Sequence, residues 1–248
     1  RHTRLQGDWS SDVCSSDLKR KAWIIGASTG IGAALADELE RKNWQVTRSA
    51  RSKGDILIDV ANDQSVIDAA SKYQSSYGDF DVVVFMAGFW KQMSAKRFSL
   101  EVFKEHNDTN IVGMARCIEA VLPKMLEKNH GTFIGVASVA GFRGIGGSTA
   151  YGPTKAAQLN MLEAMRVDLK NTNVVVQAVA PGFVETPMTS VNKFPMPFII
   201  SAERAAQYIV RGIERGTPEI VFPPAMALMM RIAKLVPKRI WPKLFKRG

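Results

Sequence analysis

The chain has 248 residues, 46% of them hydrophobic, which suits one α/β domain with a sizeable core. No apolar run reaches the ~18 residues of a membrane-spanning helix, no apolar h-region marks a secretory signal, and two cysteines, Cys14 and Cys117, are too few for a disulfide framework. The formal charge is +10, yet the bases belong to no recognised nucleic-acid reading module, so nucleic-acid binding is not expected. Free thiols suit a reducing cytoplasm. The histidines, His2, His106 and His130, have no metal-ligand spacing, so no metal site is expected.

In chain order, residues 1–18 come first and do not fit the rest. Residues 8–18 (DWSSDVCSSDL) have no helix or strand period and look like the in-frame translation of a sequencing-adapter oligonucleotide. Residues 1–18 are therefore read as a non-native or disordered leader, Cys14 carries no meaning, and the native start is expected near Lys19. A buried strand follows at 23–26, then a helix at 31–42 with Ile31, Ala34, Leu35 and Leu39 on one face. Strands are read at 44–50 and 56–58, and Asn62 is placed to cap a helix that runs to about Tyr77. Residues 82–86 form a continuous apolar strand, as in a parallel sheet covered on both faces. A long helix is expected over roughly 107–128, interrupted or bent near Pro123. Strand 132–136, helix 150–169, strand 174–180, helix 201–215 and a short strand at 220–222 complete the series.

Strict alternation predicts parallel βαβ units with right-handed crossovers. The fold class is α/β: a single doubly wound, Rossmann-type domain over residues 19–223, with about seven strands and helices on both faces. Ligands in such a sheet bind outside the carboxyl ends of the strands. Residues 224–248 form a basic, apolar tail. No acid follows Glu219, while Arg231, Lys234, Lys238, Arg239, Lys243, Lys246 and Arg247 alternate with apolar residues such as Leu228, Ile232 and Leu235. Such a tail can lie on an anionic membrane surface, pack on a neighbouring subunit or cover its own domain.

Between the first strand and helix stands Gly26-Ala27-Ser28-Thr29-Gly30-Ile31-Gly32. Glycines permit a tight turn and close approach to a pyrophosphate, and the helix N-terminus offers N–H groups to the anion. A bare βα turn is the alternative. An acid at the end of the second strand would bind the adenosine ribose and repel a 2′-phosphate. That stretch instead reads Arg48-Ser49-Ala50-Arg51-Ser52-Lys53, without an acid. Arg48 or Arg51 can grip a phosphate and Ser49 and Ser52 can donate to it, so NADP(H) is expected over NAD(H). Asp59 and Val60, after the third strand, are placed to meet the adenine ring.

Tyr151 and Lys155 lie four apart at a helix start and share a face. A nearby ammonium makes the phenolate easier to reach, as general acid/base catalysis requires. Ser138 follows the fifth strand and can orient a substrate oxygen, while Asn110, on the long helix, can hold a water that passes protons to Lys155.

The glycine loop, Asn110, Ser138, Tyr151 and Lys155 stand in an order that resembles the classical short-chain dehydrogenase/reductase family, over residues 21–222 or so. The family's glycine motif matches Gly26, Gly30 and Gly32, and its catalytic Asn, Ser, Tyr and Lys match Asn110, Ser138, Tyr151 and Lys155. Its Pro-Gly after the sixth strand matches Pro181 and Gly182; Val184 and Thr186 then join the expected cofactor contacts, with Thr186 in the position that usually meets the nicotinamide amide. Phe85-Met86-Ala87-Gly88 departs from the family's usual Asn-Asn-Ala-Gly: Ala87 and Gly88 keep the close approach to the cofactor, but the bracing amide is gone.

The resemblance implies hydride transfer between nicotinamide and a carbonyl or alcohol substrate, with Tyr151 as general acid/base. It also implies a mobile lid at about 183–200 and a homo-oligomer, dimer or tetramer, built on the long helices. Phe89, Trp90, Phe142, Phe183, Met188, Phe194, Met196 and Phe198 suggest a lipophilic substrate or simply pack the lid on the core. The expected location is cytoplasmic, with peripheral contact to the inner membrane surface through the tail as an added reading. The alternatives are a non-catalytic dinucleotide-binding sensor and a membrane-surface scaffold of the same fold.

Overall fold

The computed structural model describes residues 19–244. The leader, with His2 and Cys14, and residues 245–248 lie outside the described residues. The first half of the chain runs β1 (Lys21–Ile25), α1 (Gly30–Arg41), β2 (Gln45–Ala50), β3 (Ile56–Leu57), α2 (Asp63–Tyr77) and β4 (Val82–Phe85). Next, α3 (Leu100–Asn107) passes through a π turn at Asp108–Val112 into α4 (Gly113–Lys128). The second half runs β5 (Gly131–Val136), α5 (Tyr151–Asp168), β6 (Val174–Pro181), α6 (Pro187–Ser190), α7 (Ala202–Glu214), β7 (Glu219–Phe222) and α8 (Pro224–Leu235).

The strands form one seven-stranded sheet in the order β3-β2-β1-β4-β5-β6-β7, and every pairing is parallel. This is the expected doubly wound α/β fold. Strand order reverses between β1 and β4, which opens a crevice at their carboxyl ends. Side-chain alternation divides the core into two layers. Ala22 and Ile24 of β1 join Val82, Val84 and Ile134 beneath α1 and α7. Trp23 and Ile25 face the other way, with Val83, Phe85 and Phe133 beneath α2, α4 and α5. Because both faces are covered, all four residues of β4 are buried.

Three local expectations change. The long helix begins earlier, at Leu100, where Ser99 caps it by accepting a hydrogen bond from the Val102 N–H. Pro123 lies inside an unbroken α4, and the irregularity sits instead at the π turn. The tail, read only as basic and apolar, begins with a helix. Pro224 occupies its first position, where a missing N–H costs little, and Met226, Met230 and Ala233 are buried at i, i+4, i+7 spacing.

Candidate active site

The glycine loop is shaped by close backbone approach. Gly26 has φ +101°, and a Cβ there would lie 2.6 Å from the Ala87 nitrogen, so the ends of β1 and β4 meet without a side chain between them. The bracing amides expected from the family are not needed for this contact: Met86 N–H donates to Ile25 O at 2.8 Å. A Cβ on Gly32 would overlap the Gly26 carbonyl oxygen. No side chain caps α1 and its first turn has no acid, so its positive end is left to the cleft.

That cleft, of about 480 Å³, is lined by the loop residues Ser28, Thr29, Gly30, Ile31 and Gly32. Arg51, Ser52, Asp59 and Val60 line one end; Ala87, Gly88, Pro181, Gly182, Val184 and Thr186 line the middle, beside Ser138, Tyr151 and Lys155. Arg48 is not brought there. Its guanidinium turns to α1 and bonds Asp37 at 2.6 Å and Glu40 at 2.8 Å. Ser49, on the opposite face of β2, is fully buried and accepts from Trp23 Nε1 at 2.8 Å. Arg48 is thus spent on the surface of α1 and Ser49 in the core, and of the polar residues in this stretch Arg51 and Ser52, beyond the strand end, line the cleft.

Tyr151 opens α5, and Ser138 lies two residues beyond β5. Both side chains line the same cleft; burial pushes the phenol up to about 12, with Ser138 acting the other way. The Lys155 Nζ lies 5.4 Å from the Tyr151 ring centre and donates to Val136 O at 3.0 Å and to Gln158 Oε1 at 2.8 Å. Burial lowers the Lys155 ammonium to about 7.

Asn110 sits in the π turn and is fully buried. Its Oδ1 accepts from Phe89 N at 2.7 Å, and its Nδ2 donates to Phe89 O at 3.1 Å and Thr154 Oγ1 at 3.0 Å. Both amide donors are used by protein, so a water held by this side chain would have to donate to Oδ1. A direct chain also runs to Lys155: Gln158 Nε2 donates to Asn110 O at 2.7 Å while Gln158 Oε1 accepts from Lys155. Gln158 and Thr154 escaped the sequence reading, although both share the α5 face of Tyr151 and Lys155, three residues on from Lys155 and Tyr151 respectively.

Two further neighbours are Trp90, named from the sequence only as a candidate substrate-lining aromatic, and His106, whose contacts cross between distant elements and left no sequence signal. The Trp90 ring meets Tyr151 edge-on at 5.0 Å, and its Nε1 donates to Asn192, within residues 183–200, at 3.0 Å. The buried His106 ring lies 6.3 Å from Tyr151; its Nδ1 pairs with Val102 O and its Nε2 accepts from Lys91 N. Of the aromatic and methionine residues expected around the substrate, Phe89 and Met188 line the cleft. Phe142 and Phe183 instead pack against the buried face of α8. Thr186 caps α6 in a reciprocal pair with Thr189, and its methyl lies beside Gly30.

Residues 20–194 match the family model described as short chain dehydrogenase. The chain is 34% identical to an uncharacterized oxidoreductase of Myxococcus xanthus, over 92% of this chain and 97% of that one. Among solved structures it resembles a short-chain dehydrogenase from Streptomyces avermitilis, with a TM-score of 0.80 at 20% identity over 92% of this chain and 98% of that one. It also resembles ElxO with NADP bound, with a TM-score of 0.73 at 21% identity over 82% and 98%.

Proposed function

Since this chain belongs to the short-chain dehydrogenase family of oxidoreductases, we propose that it interconverts a lipophilic carbonyl compound and its alcohol with NADP(H), using Tyr151 as the proton-transferring group. The observation that carries this reading is that Ser138, Tyr151 and Lys155 line the same cleft as the glycine loop. The cleft suits a dinucleotide on its own terms: the first turn of α1 is uncapped, Gly26 and Gly32 let the loop fold tightly against β4 and against itself, and Arg51 and Ser52 stand where a 2′-phosphate would arrive. When bound, NADPH supplies the hydride that reduces the carbonyl carbon.

The chain's own residues handle the oxygen. Ser138 Oγ orients the carbonyl oxygen toward the Tyr151 hydroxyl. Burial keeps that phenol protonated at neutral pH, so it is ready to give its proton to the developing alkoxide. Lys155, fixed by Val136 O and Gln158, lies behind the ring, where it can return a proton to the phenolate. Trp90, Phe89 and Met188 exclude water and favour an apolar substrate body. A non-catalytic binding module would have no use for a buried phenol, hydroxyl and ammonium in one place.

The test is Tyr151→Phe, assayed with NADPH and a panel of carbonyl compounds. Turnover is expected to fall by ~10²–10⁴, while NADPH titrated by fluorescence binds as before. A variant as active as the parent chain overturns the role of Tyr151.

A further inference from the structure

The first turns of α8 anchor it to the domain, but its outer face has no partner among the described residues. Met226, Met230 and Ala233 are buried against Val139 and Ala180. On the opposite side Leu228, Ile232 and Leu235 form an i, i+4, i+7 stripe, exposed by 60%, 56% and 82%. Ile240 and Leu244, in the segment that follows, are exposed as well. An apolar ridge on an already packed helix needs a reason, because single exposed side chains are ordinary and a continuous stripe is not.

The charges around the ridge choose between occupants. Arg231, Lys234, Lys238, Arg239 and Lys243 are all exposed on this segment, and the sequence has no acid after Glu219. A second copy meeting this face through a two-fold axis would set bases against bases. A surface of anionic lipid offers the opposite charge and an apolar interior together. Insertion across a bilayer is not in question, since no helix among the described residues is long and apolar enough to span one.

We infer that the outer face of α8 and the segment up to Leu244 form a docking surface for an anionic lipid bilayer, with the Leu228, Ile232 and Leu235 ridge entering the headgroup boundary and the bases contacting lipid phosphates. The surface is rigidly tied to the loop after Ser138. Arg143 donates to Val236 O at 2.8 Å, Trp241 Nε1 donates to Gly144 O at 2.6 Å, and the Lys234 ammonium sits 4.1 Å from the Phe142 ring centre. Docking would therefore hold the loop that leads out of the catalytic serine close to the lipid, a position suited to a substrate drawn from the membrane. The lipid contact itself does not depend on the catalytic reading.

Sedimentation of the full chain with vesicles tests this. Phosphatidylcholine vesicles containing phosphatidylglycerol are expected to carry the protein down, and pure phosphatidylcholine vesicles are not. Lys238→Gln with Arg239→Gln should weaken partitioning roughly 25-fold, at about fivefold per base, and added salt should do the same. Ile232→Ser with Leu235→Ser should weaken it at least about tenfold. Equal binding to both vesicle types, or binding unchanged in both variants, overturns the inference. So does a velocity-sedimentation run in which Ile232→Ser with Leu235→Ser splits an oligomer into monomers while vesicle binding persists; the ridge would then belong to a second copy. The two polar substitutions outside α8 keep the test standing if the helix variant fails to fold.

Discussion

Lys155→Met should change how the stability of this protein depends on pH, and the size of the change follows from one buried ammonium. Lys155 is 3% exposed, and its ionisation falls from the usual 10.5 to about 7 on folding. Below pH 7 both folded and unfolded chains hold the proton, so the full cost of burying the charge is present. Between pH 7 and 10.5 the unfolded chain keeps a proton that the folded chain has released. Stability therefore rises with pH in that window, by up to about 1.4 kcal/mol per pH unit. From pH 6 to pH 9 the gain is about 2.5 kcal/mol. Methionine has a similar length and no charge. It removes this gain, and it leaves Val136 O and Gln158 Oε1 without their donor, at roughly 1–3 kcal/mol each. At pH 6 these losses offset the relieved burial, so the two proteins should differ little. At pH 9 the parent chain should be more stable than the variant by about 2.5 kcal/mol beyond whatever difference holds at pH 6. Urea unfolding followed by tryptophan fluorescence at several pH values measures both. A parent-minus-variant difference that stays flat from pH 6 to pH 9 would refute the claim that folding strips this lysine of its proton.

The remaining expectations concern the nucleotide cleft. Arg51→Ser should weaken NADPH binding roughly ten- to a hundredfold, the worth of a charge-assisted phosphate contact, and leave NADH binding almost unchanged. Arg48→Ser should leave the preference alone, because that guanidinium is engaged by Asp37 and Glu40 on α1; paired fluorescence titrations decide, and a larger effect at Arg48 would reverse the assignment. Gly32→Ala places a methyl group on the Gly26 carbonyl oxygen, which must shift the loop. Loss of NADPH binding together with a lower Tm is expected, and unaltered binding would show that the loop does not hold the pyrophosphate.

Much of this fold was legible because burial on both sheet faces leaves a strong mark. Val82–Phe85 reads as an unbroken apolar run for that reason, and Asn62 announces α2 by capping it. The cleft was legible where sequence position alone decides geometry: Ser138 and the glycine loop lie at carboxyl ends of strands, and Tyr151 and Lys155 share one helix face. Arg48 and Ser49 were misjudged because both lie within β2, one turned to the acids of α1 and the other to the core, whereas the cleft is met only at the strand's carboxyl end. Leu100–Asn107 gave little signal, since only His106 in that helix is buried. In α8 both faces carry apolar residues, so the period that marks a helix was obscured.

The interactions around Asn110 explain how Phe89 and Trp90, named from the sequence only as apolar candidates for the substrate wall, are held in place. The segment after β4 leaves the sheet with Phe89 and Lys91 bonded to side chains of the helical arm beside it. Asn110 takes both the N–H and the C=O of Phe89, and His106 takes the N–H of Lys91. These are buried polar groups, and each unmade bond would cost roughly 1–3 kcal/mol, so the segment is held firmly without belonging to any regular element. Trp90 lies between the two anchor points and is delivered edge-on to Tyr151. A π turn at Asp108–Val112 is where this helical arm departs from regular winding, and Asn110 is the residue it buries. Asn110 thus ties Phe89 and Thr154 together. Loss of activity on removing its side chain would report a displaced Trp90 wall and a loosened α5 face before it reported anything about proton transfer.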